Sequence, residues 1–120
     1  MNDQQTTLAV IKAAVKAMVD ERDWNQFHTP KNLSMYISLE ANELMEHFVV
    51  ETPEQSFEKV RSAKRQAIED ELADIMIVLC AFANACDIDM AQAFECKLAR
   101  VKEKYPIEKA KGKALKYNEL

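Results

Sequence analysis

The segment AIEDELADIMIVLCAFANAC, residues 67–86, decides the fold of this chain. It contains neither Gly nor Pro, and its apolar side chains recur at steps of three and four positions. That spacing is typical of a helix that buries one face. The segment therefore predicts a long core helix, which needs partner helices from the rest of the chain.

Segments upstream carry helix signals of their own. Residues 6–22 have the same apolar spacing and predict a first helix. The Thr-Pro pair at residues 29–30 predicts the capped start of a second helix, which we expect to run to about residue 50. The capping box TPEQ at residues 52–55 predicts a short extra helix. A break between residues 61 and 65 should separate it from the long core helix.

Downstream, either Asp87 or Asp89 should cap a fourth long helix that ends before Pro106. The tail, about residues 106–120, holds the only glycine and has no helical period, so we expect it to be irregular. No segment shows the alternation of a strand. We predict an all-α fold in a single domain, residues 1–120, with a four-helix-bundle-like core, a short extra helix and an irregular C-terminal tail. The residues expected on the inner face of the fourth helix are Met90, Phe94, Leu98 and Val101.

Composition narrows the class of protein. The chain is 48% apolar and 30% charged, and its net charge of −4 comes from interspersed acids and bases. It therefore lacks the basic field that attracts nucleic acid. No window has the roughly 20 apolar residues of a membrane span, and the N-terminus lacks a signal-peptide pattern. We expect a cytoplasmic protein that binds neither membrane nor nucleic acid, with Cys80, Cys86 and Cys96 reduced and buried.

Carboxylates interrupt the apolar rows of two predicted helices. Glu40 and Glu43 lie three residues apart in the second helix, and Glu71 and Asp74 have the same spacing in the long core helix, so each pair shares a face. An ionised carboxylate in a core costs several kcal/mol unless a partner offsets it. Four carboxylates from facing helices would form an all-oxygen site suited to Mg²⁺, with Mn²⁺ as a substitute.

Two alternatives compete with this interpretation. Acid pairs at this spacing are common on solvated helix faces, which is how we interpret Glu46, Glu69 and Asp70. Di-iron bundles also use carboxylates, but they pair Glu with His three residues later, and that pattern is absent here. His47 follows Glu46 directly and should point to a different face.

An oxygen-only Mg²⁺ site commonly completes its shell with substrate phosphates. The chain has no Gly-rich phosphate loop, so phosphate would be handled through the metal, and hydrolysis is the favoured reaction.

Four stretches of the sequence resemble a known protein family. SLEANELMEHF (residues 38–48) and EDELADIMIVL (residues 69–79) are similar to the E-x-x-E and E-x-x-D motifs of the MazG-like all-α nucleotide pyrophosphohydrolases. ERDWNQFHTPKNLSMYISLEANELMEHF (21–48) and EKYPIEKAKGKALKYNEL (103–120) resemble the deoxycytidine triphosphate pyrophosphatases within it.

The resemblance implies cleavage of a (deoxy)nucleoside triphosphate between its α and β phosphates. It implies that Mg²⁺ is bound by Glu40, Glu43, Glu71 and Asp74, with Glu40 or Glu43 as the general base. It also implies a homodimer or homotetramer and a nucleoside-binding loop made of Trp24, Asn25, Gln26, Phe27 and His28.

Lysines near the C-terminus are candidate phosphate contacts, because one metal does not neutralise a triphosphate. We predict this role for Lys104 and Lys111. The alternative is that they are solvated surface lysines. Enclosing groups of the family have aliphatic matches at Val15, Val50 and Val78, which implies a more open base pocket. A preference for dCTP or a related pyrimidine and a role in nucleotide-pool cleaning are the expected function. The competing hypothesis is a non-enzymatic helical interaction module whose acids form intersubunit salt bridges.

Overall fold

The computed structural model describes all 120 residues and contains helices but no strand. The all-α prediction is confirmed. Four long helices and a short third one follow in the expected order. They are α1 (Leu8–Glu21), α2 (Pro30–Glu46), α3 (Pro53–Val60), α4 (Arg65–Ala85) and α5 (Met90–Lys104), after which come the short α6 (Ile107–Ala110) and a 3₁₀ helix (Tyr117–Glu119).

The helix starts follow from local side-chain chemistry. The Thr29 hydroxyl accepts the Asn32 N–H at 3.2 Å. Thr52 and Gln55 form the predicted capping box, because each side chain accepts the other residue's N–H, at 3.2 and 2.9 Å. Of the two candidate caps of α5, Asp89 is the one that caps the helix, whereas Asp87 adopts a left-handed φ of 53°. The predicted N-caps are thus confirmed.

The predicted end of α2 is wrong. The helix stops at Glu46, four residues before the expected position. The Phe48 N–H bonds to the Met45 carbonyl at 2.9 Å, three residues back rather than four, so the last turn tightens and leaves the helical path. The chain must turn here because the strong start signal at Thr52 begins a new helix a few residues later.

Residues Met1–Asp87 form one compact unit, in which α4 packs against α2 and α1 and, less extensively, against α3. Its core joins Val15 and Val19 of α1 to Leu33 of α2 and to Cys80 and Ala81 of α4. Leu33 is fully buried, with 0% of its surface exposed. This packing fixes α2 beside α4, the two helices that carry the acid pairs. That the whole chain forms a single domain stays a prediction.

Residues Ile88–Leu120 form a second compact unit with α5 and the tail. Its apolar row, expected to face a core, is exposed: 66% of the surface of Phe94 and 39% of that of Leu98 are accessible, and no residue of α5 is buried. The helical period shows which side of α5 is apolar but not what covers that side. Tyr105, the C-cap of α5, meets Tyr117 of the tail edge to face, with 6.3 Å between ring centroids.

The three cysteines are free thiols, but their environments differ. Cys80 is buried in the core, Cys86 is partly buried and Cys96 is exposed, so the expectation of buried thiols is confirmed for Cys80 alone. Burial raises the pKa of the Cys80 thiol, and the charge of Lys12 opposes this shift. In none of the helices are length and apolar character sufficient to cross a lipid bilayer.

Candidate metal centre

Three of the four predicted carboxylates converge between α2 and α4. Glu40 and Glu43 stand one turn apart on α2 and Glu71 projects from α4, and one carboxylate oxygen of each lies within 4.8 Å of the others. Asp74, one turn after Glu71, is outside this closest group. Its charge nevertheless acts on both Glu40 and Glu71. The helix packing thus brings the two acid pairs to one place.

Two oxygens of this acid cluster, formed by Glu40, Glu43, Glu71 and Asp74, are buried without a hydrogen-bond partner. They are Glu40 Oε2 and Glu71 Oε2. A buried acceptor that has lost water and gained no donor costs on the order of 1–3 kcal/mol, and more if it is charged. A divalent cation would satisfy both oxygens together. Since every donor in the cluster is a carboxylate oxygen, the set fits a hard cation such as Mg²⁺.

Burial and mutual repulsion change the acidity of the cluster. Burial raises the pKa of Glu40 above its ordinary value, and the charges of Glu43, Asp74 and Glu71 raise it further. The pKa of Glu71 is also raised, first by burial and then by Glu43 and Asp74, while His47 acts in the opposite direction. Glu40 and Glu71 therefore resist ionisation unless positive charge joins them.

These shifts predict how metal-free stability depends on pH. Between the ordinary carboxyl pKa of 4.5 and the raised values, the folded chain holds more protons than the unfolded chain. The free energy of unfolding should therefore fall as pH rises through this window. Thermal melts in chelator across pH 4–8 should show this fall, and Glu40→Gln should make it smaller.

A matched control for this pH series is Glu95→Gln, which changes an exposed carboxylate on α5. It should leave the pH dependence of the melting temperature unchanged. An identical fall in wild type and Glu40→Gln would contradict the assignment to the acid cluster.

His47 does not point away from the acids, so the sequence-based expectation is wrong. Its Nε2 lies 3.8 Å from Glu71 Oε1, and both side chains are about one-fifth exposed. Because α2 ends at Glu46, His47 is the C-cap of the helix, and its side chain is beside α4. Its carbonyl also accepts a hydrogen bond from Lys59 Nζ at 2.5 Å.

A cavity of about 470 Å³ opens onto the acid cluster. Glu46 lines this cavity. Its side chain is exposed, as expected, and accepts a hydrogen bond from Asn42. Glu69 and Asp70 were expected to be solvated, and both are exposed. They accept hydrogen bonds from Arg65 and Gln66, respectively, one turn earlier. The residues lining the cavity are Glu43, Glu46, His47, Lys59, Lys64 and Glu71.

The aromatic loop at residues 24–28 presents its rings to solvent. Trp24 is 42% and Phe27 53% exposed, and Trp24 stacks on the His28 ring with 6.5 Å between centroids. Asn25 donates to Asp20 Oδ1 at 2.7 Å, and Gln26 donates to the Asp23 carbonyl at 3.1 Å. Hydrogen bonds of Asn25 and Gln26 hold the loop, and the exposed rings of Trp24 and Phe27 are available to a flat ligand.

Only two members of this loop line a neighbouring cavity of about 70 Å³. Asn25 and His28 share it with Lys16 of α1 and Asn84 of α4, whereas Trp24, Gln26 and Phe27 do not line it. This cavity and the one at the acid cluster have no lining residue in common.

Lys104 and Lys111 belong to the second unit, residues 88–120. Lys104 Nζ lies 4.8 Å from the centre of the Tyr117 ring, a cation–π distance. Lys111 is the exposed C-cap of α6. A role for either lysine in binding phosphate stays a prediction.

Sequence reasoning missed His47, Lys59 and Lys64 as neighbours of the acids. Lys59 lies in the last turn of α3 and Lys64 at the N-cap of α4, and nothing in the local sequence indicates what such side chains contact. The only available signal was proximity along the chain: His47 follows Glu43 by four residues, which is one helical turn.

Comparisons with known proteins agree with the resemblance seen in the motifs, which is thereby confirmed. Residues 35–120 match the model of the MazG-like family. A dCTP pyrophosphatase 1 from Bos taurus is 37% identical over 117 residues, covering 97% of this chain and 69% of the bovine protein. The Homo sapiens protein of the same name is 34% identical with the same coverage. A crystal structure of a pyrophosphatase from Archaeoglobus fulgidus superposes with a TM-score of 0.79 at 28% identity, over 88% of this chain and 98% of that one.

Proposed function

This chain belongs to the MazG-like family, and we propose that it is an Mg²⁺-dependent nucleoside triphosphate pyrophosphohydrolase that converts a dNTP and water into a dNMP and pyrophosphate. The observation that carries the proposal is the pair of buried oxygens without a hydrogen-bond partner on Glu40 of α2 and Glu71 of α4, in a cluster of acids that lie within 4.8 Å of one another. The names of the bovine and human relatives support a preference for dCTP or a related pyrimidine nucleotide.

The cation would be held by Glu40, Glu43, Glu71 and Asp74. Glu40, Glu43 and Glu71 already bring an oxygen each to within 4.8 Å of the others, and Asp74 adds its charge. When bound, Mg²⁺ supplies the positive charge that neutralises the phosphates and favours ionisation of the attacking water. Mn²⁺ accepts the same oxygen donors and is the expected substitute.

Glu40 or Glu43 accepts the proton of the attacking water in this proposal. The water oxygen bonds to the α phosphorus, the α–β anhydride bond breaks, and the bridging oxygen leaves with the pyrophosphate. Glu40 and Glu43 lie one turn apart on the same face of α2, and one oxygen of each is within 4.8 Å of the other, so either one can serve a water at the acid cluster.

The loop formed by Trp24, Asn25, Gln26, Phe27 and His28 binds the nucleoside. The exposed rings of Trp24 and Phe27 offer stacking surfaces, and stacking on an aromatic ring is worth about 1–3 kcal/mol per base. Lys104 and Lys111 contact the phosphates. The assignment of the nucleoside to the loop at residues 24–28 is supported by the position of the loop, which leads directly into α2, the helix that carries Glu40.

The biological setting we propose is the removal of unwanted nucleotides from the cytoplasmic pool by a homodimer or homotetramer. The exposed apolar row of α5, which includes Phe94 and Leu98, favours an oligomer, since a second copy would remove this surface from water. The competing hypothesis of a non-enzymatic interaction module requires intersubunit lysines to pair with the acids instead of a metal.

One assay separates the enzyme from the interaction module. The folded protein is incubated with each dNTP and the corresponding ribonucleotides, with Mg²⁺ or with chelator, and pyrophosphate and monophosphate are quantified. We expect equal amounts of both products, with dCTP or another pyrimidine fastest and no turnover in chelator. No pyrophosphate from any nucleotide would leave the interaction module as the better account.

A further inference from the structure

We propose that Lys59 and Lys64, beside the acid cluster, bind the β- and γ-phosphates of the substrate and then the pyrophosphate product. This inference rests on the proposed function. It names residues at the opposite end of the substrate from the nucleoside loop. The observations behind it are a shared cavity, one anchored ammonium group and one ammonium group without a partner.

The cavity of about 470 Å³ is continuous from Glu43 and Glu71 to Lys59 and Lys64. All six of its lining side chains are charged or ionisable, so it lacks the apolar walls that would suit a base or a sugar. A polyphosphate chelated to a cation at Glu43 and Glu71 would still carry negative charge. The two lysines are the ammonium groups that the cavity offers to that charge.

Lys59 is already oriented. Its Nζ donates to the His47 carbonyl at 2.5 Å and pairs with Glu51 at 3.1 Å, and the side chain is about one-quarter exposed. An ammonium group has three N–H donors, so one donor remains for a ligand. Because His47, the C-cap of α2, and Glu51, in the link before α3, hold this ammonium group in place, binding a phosphate oxygen would cost little further side-chain entropy.

Lys64 stands at the N-cap of α4, and its ammonium group makes no hydrogen bond or ion pair. The helix has no side-chain cap, so the positive end of a 21-residue helix lies next to it. A negative phosphate close to Lys64 would gain from both charges. Lys64 is also exposed and supports no other residue through its side chain, which makes it the cleaner position to change.

The arrangement gives the substrate a direction. The α-phosphate lies at the acid cluster, the β- and γ-phosphates extend toward Lys59 and Lys64, and the nucleoside lies away from these lysines. Charge-assisted contacts to the departing pyrophosphate stabilise the negative charge that develops when the α–β bond breaks. The lysines therefore contribute to recognition of a triphosphate over a monophosphate.

Binding of two probes tests this directly. Inorganic pyrophosphate and dCMP are each titrated into the protein in Mg²⁺ by calorimetry, using wild type, Lys64→Ala and Lys64→Arg. Lys64→Ala should weaken pyrophosphate binding about tenfold and leave dCMP binding within about twofold, and Lys64→Arg should restore most of the loss. Lys59→Gln, which keeps a donor for the His47 carbonyl, should weaken pyrophosphate binding in the same direction.

Lys31→Ala is the matched control, because Lys31 is an exposed lysine of α2 outside the cavity. It should change neither affinity. The inference is overturned if wild type does not bind pyrophosphate, if Lys64→Ala binds it as wild type does, or if both probes weaken equally. The proposed function is tested separately, by the turnover assay on the same wild-type preparation. It fails if no nucleotide is hydrolysed.

Discussion

Glu71→Gln should lower kcat/KM for nucleotide hydrolysis by about 10²–10³-fold, a loss comparable to that of one essential electrostatic group in other active sites. The substitution keeps the size of the side chain but removes one of the three charges that converge within 4.8 Å. Initial rates of pyrophosphate release at saturating and limiting dCTP, in Mg²⁺, measure the effect.

The stability of the same variant should change in the opposite direction. Burial and repulsion raise the pKa of Glu71, so its ionised form is disfavoured in the metal-free fold, and the neutral amide should melt at an equal or higher temperature. Glu69→Gln is the control, since Glu69 is an exposed residue of α4 paired with Arg65. Glu71→Gln with near wild-type turnover would place the reaction elsewhere.

Leu33→Ala should produce the largest loss of stability of any single truncation, about 3–5 kcal/mol. Leu33 is fully buried between Val15 and Val19 of α1 and Cys80 and Ala81 of α4, so truncation leaves a cavity where the two helices meet α2. Chemical denaturation in chelator measures the free energy of unfolding. Because α2 carries Glu40 and Glu43, activity should also fall near the melting transition.

Leu115→Ala is the matched control for this core truncation. Leu115 is 48% exposed and lies outside any helix, so its loss should cost less than about 0.5 kcal/mol. Equal costs for the two variants would show that Leu33 is not the centre of the core.

The features that were predictable from sequence are those set by local chemistry. Thr29, Thr52 and Asp89 cap helices because a short side chain can reach an N–H two or three residues on, whatever the rest of the chain does. The spacing of the acids likewise places each pair on one face of its helix. That the two pairs meet depends on the packing of α2 against α4, which the apolar row around Leu33 indicates.

The features that were not predictable depend on contacts between distant segments. His47 was expected on a different face because it directly follows Glu46, but it also follows Glu43 by one helical turn, and its side chain lies beside Glu71. Lys59 and Lys64 carry no periodic signal, so their position at the cavity follows only from how α3 and α4 are joined. The apolar side of α5 was predicted correctly, but the spacing of its residues does not indicate which surface covers that side.

The most direct test of the central claim, that the acid cluster is a divalent-cation site, is a titration of the metal-free protein with Mn²⁺ followed by electron paramagnetic resonance. Wild type should remove the signal of free Mn²⁺ in a saturable way, and Mg²⁺ should compete. Glu71→Gln should weaken the binding at least about tenfold, whereas Glu69→Gln should not. Saturable Mn²⁺ binding that is the same in wild type and Glu71→Gln, or no binding at all, would contradict the claim.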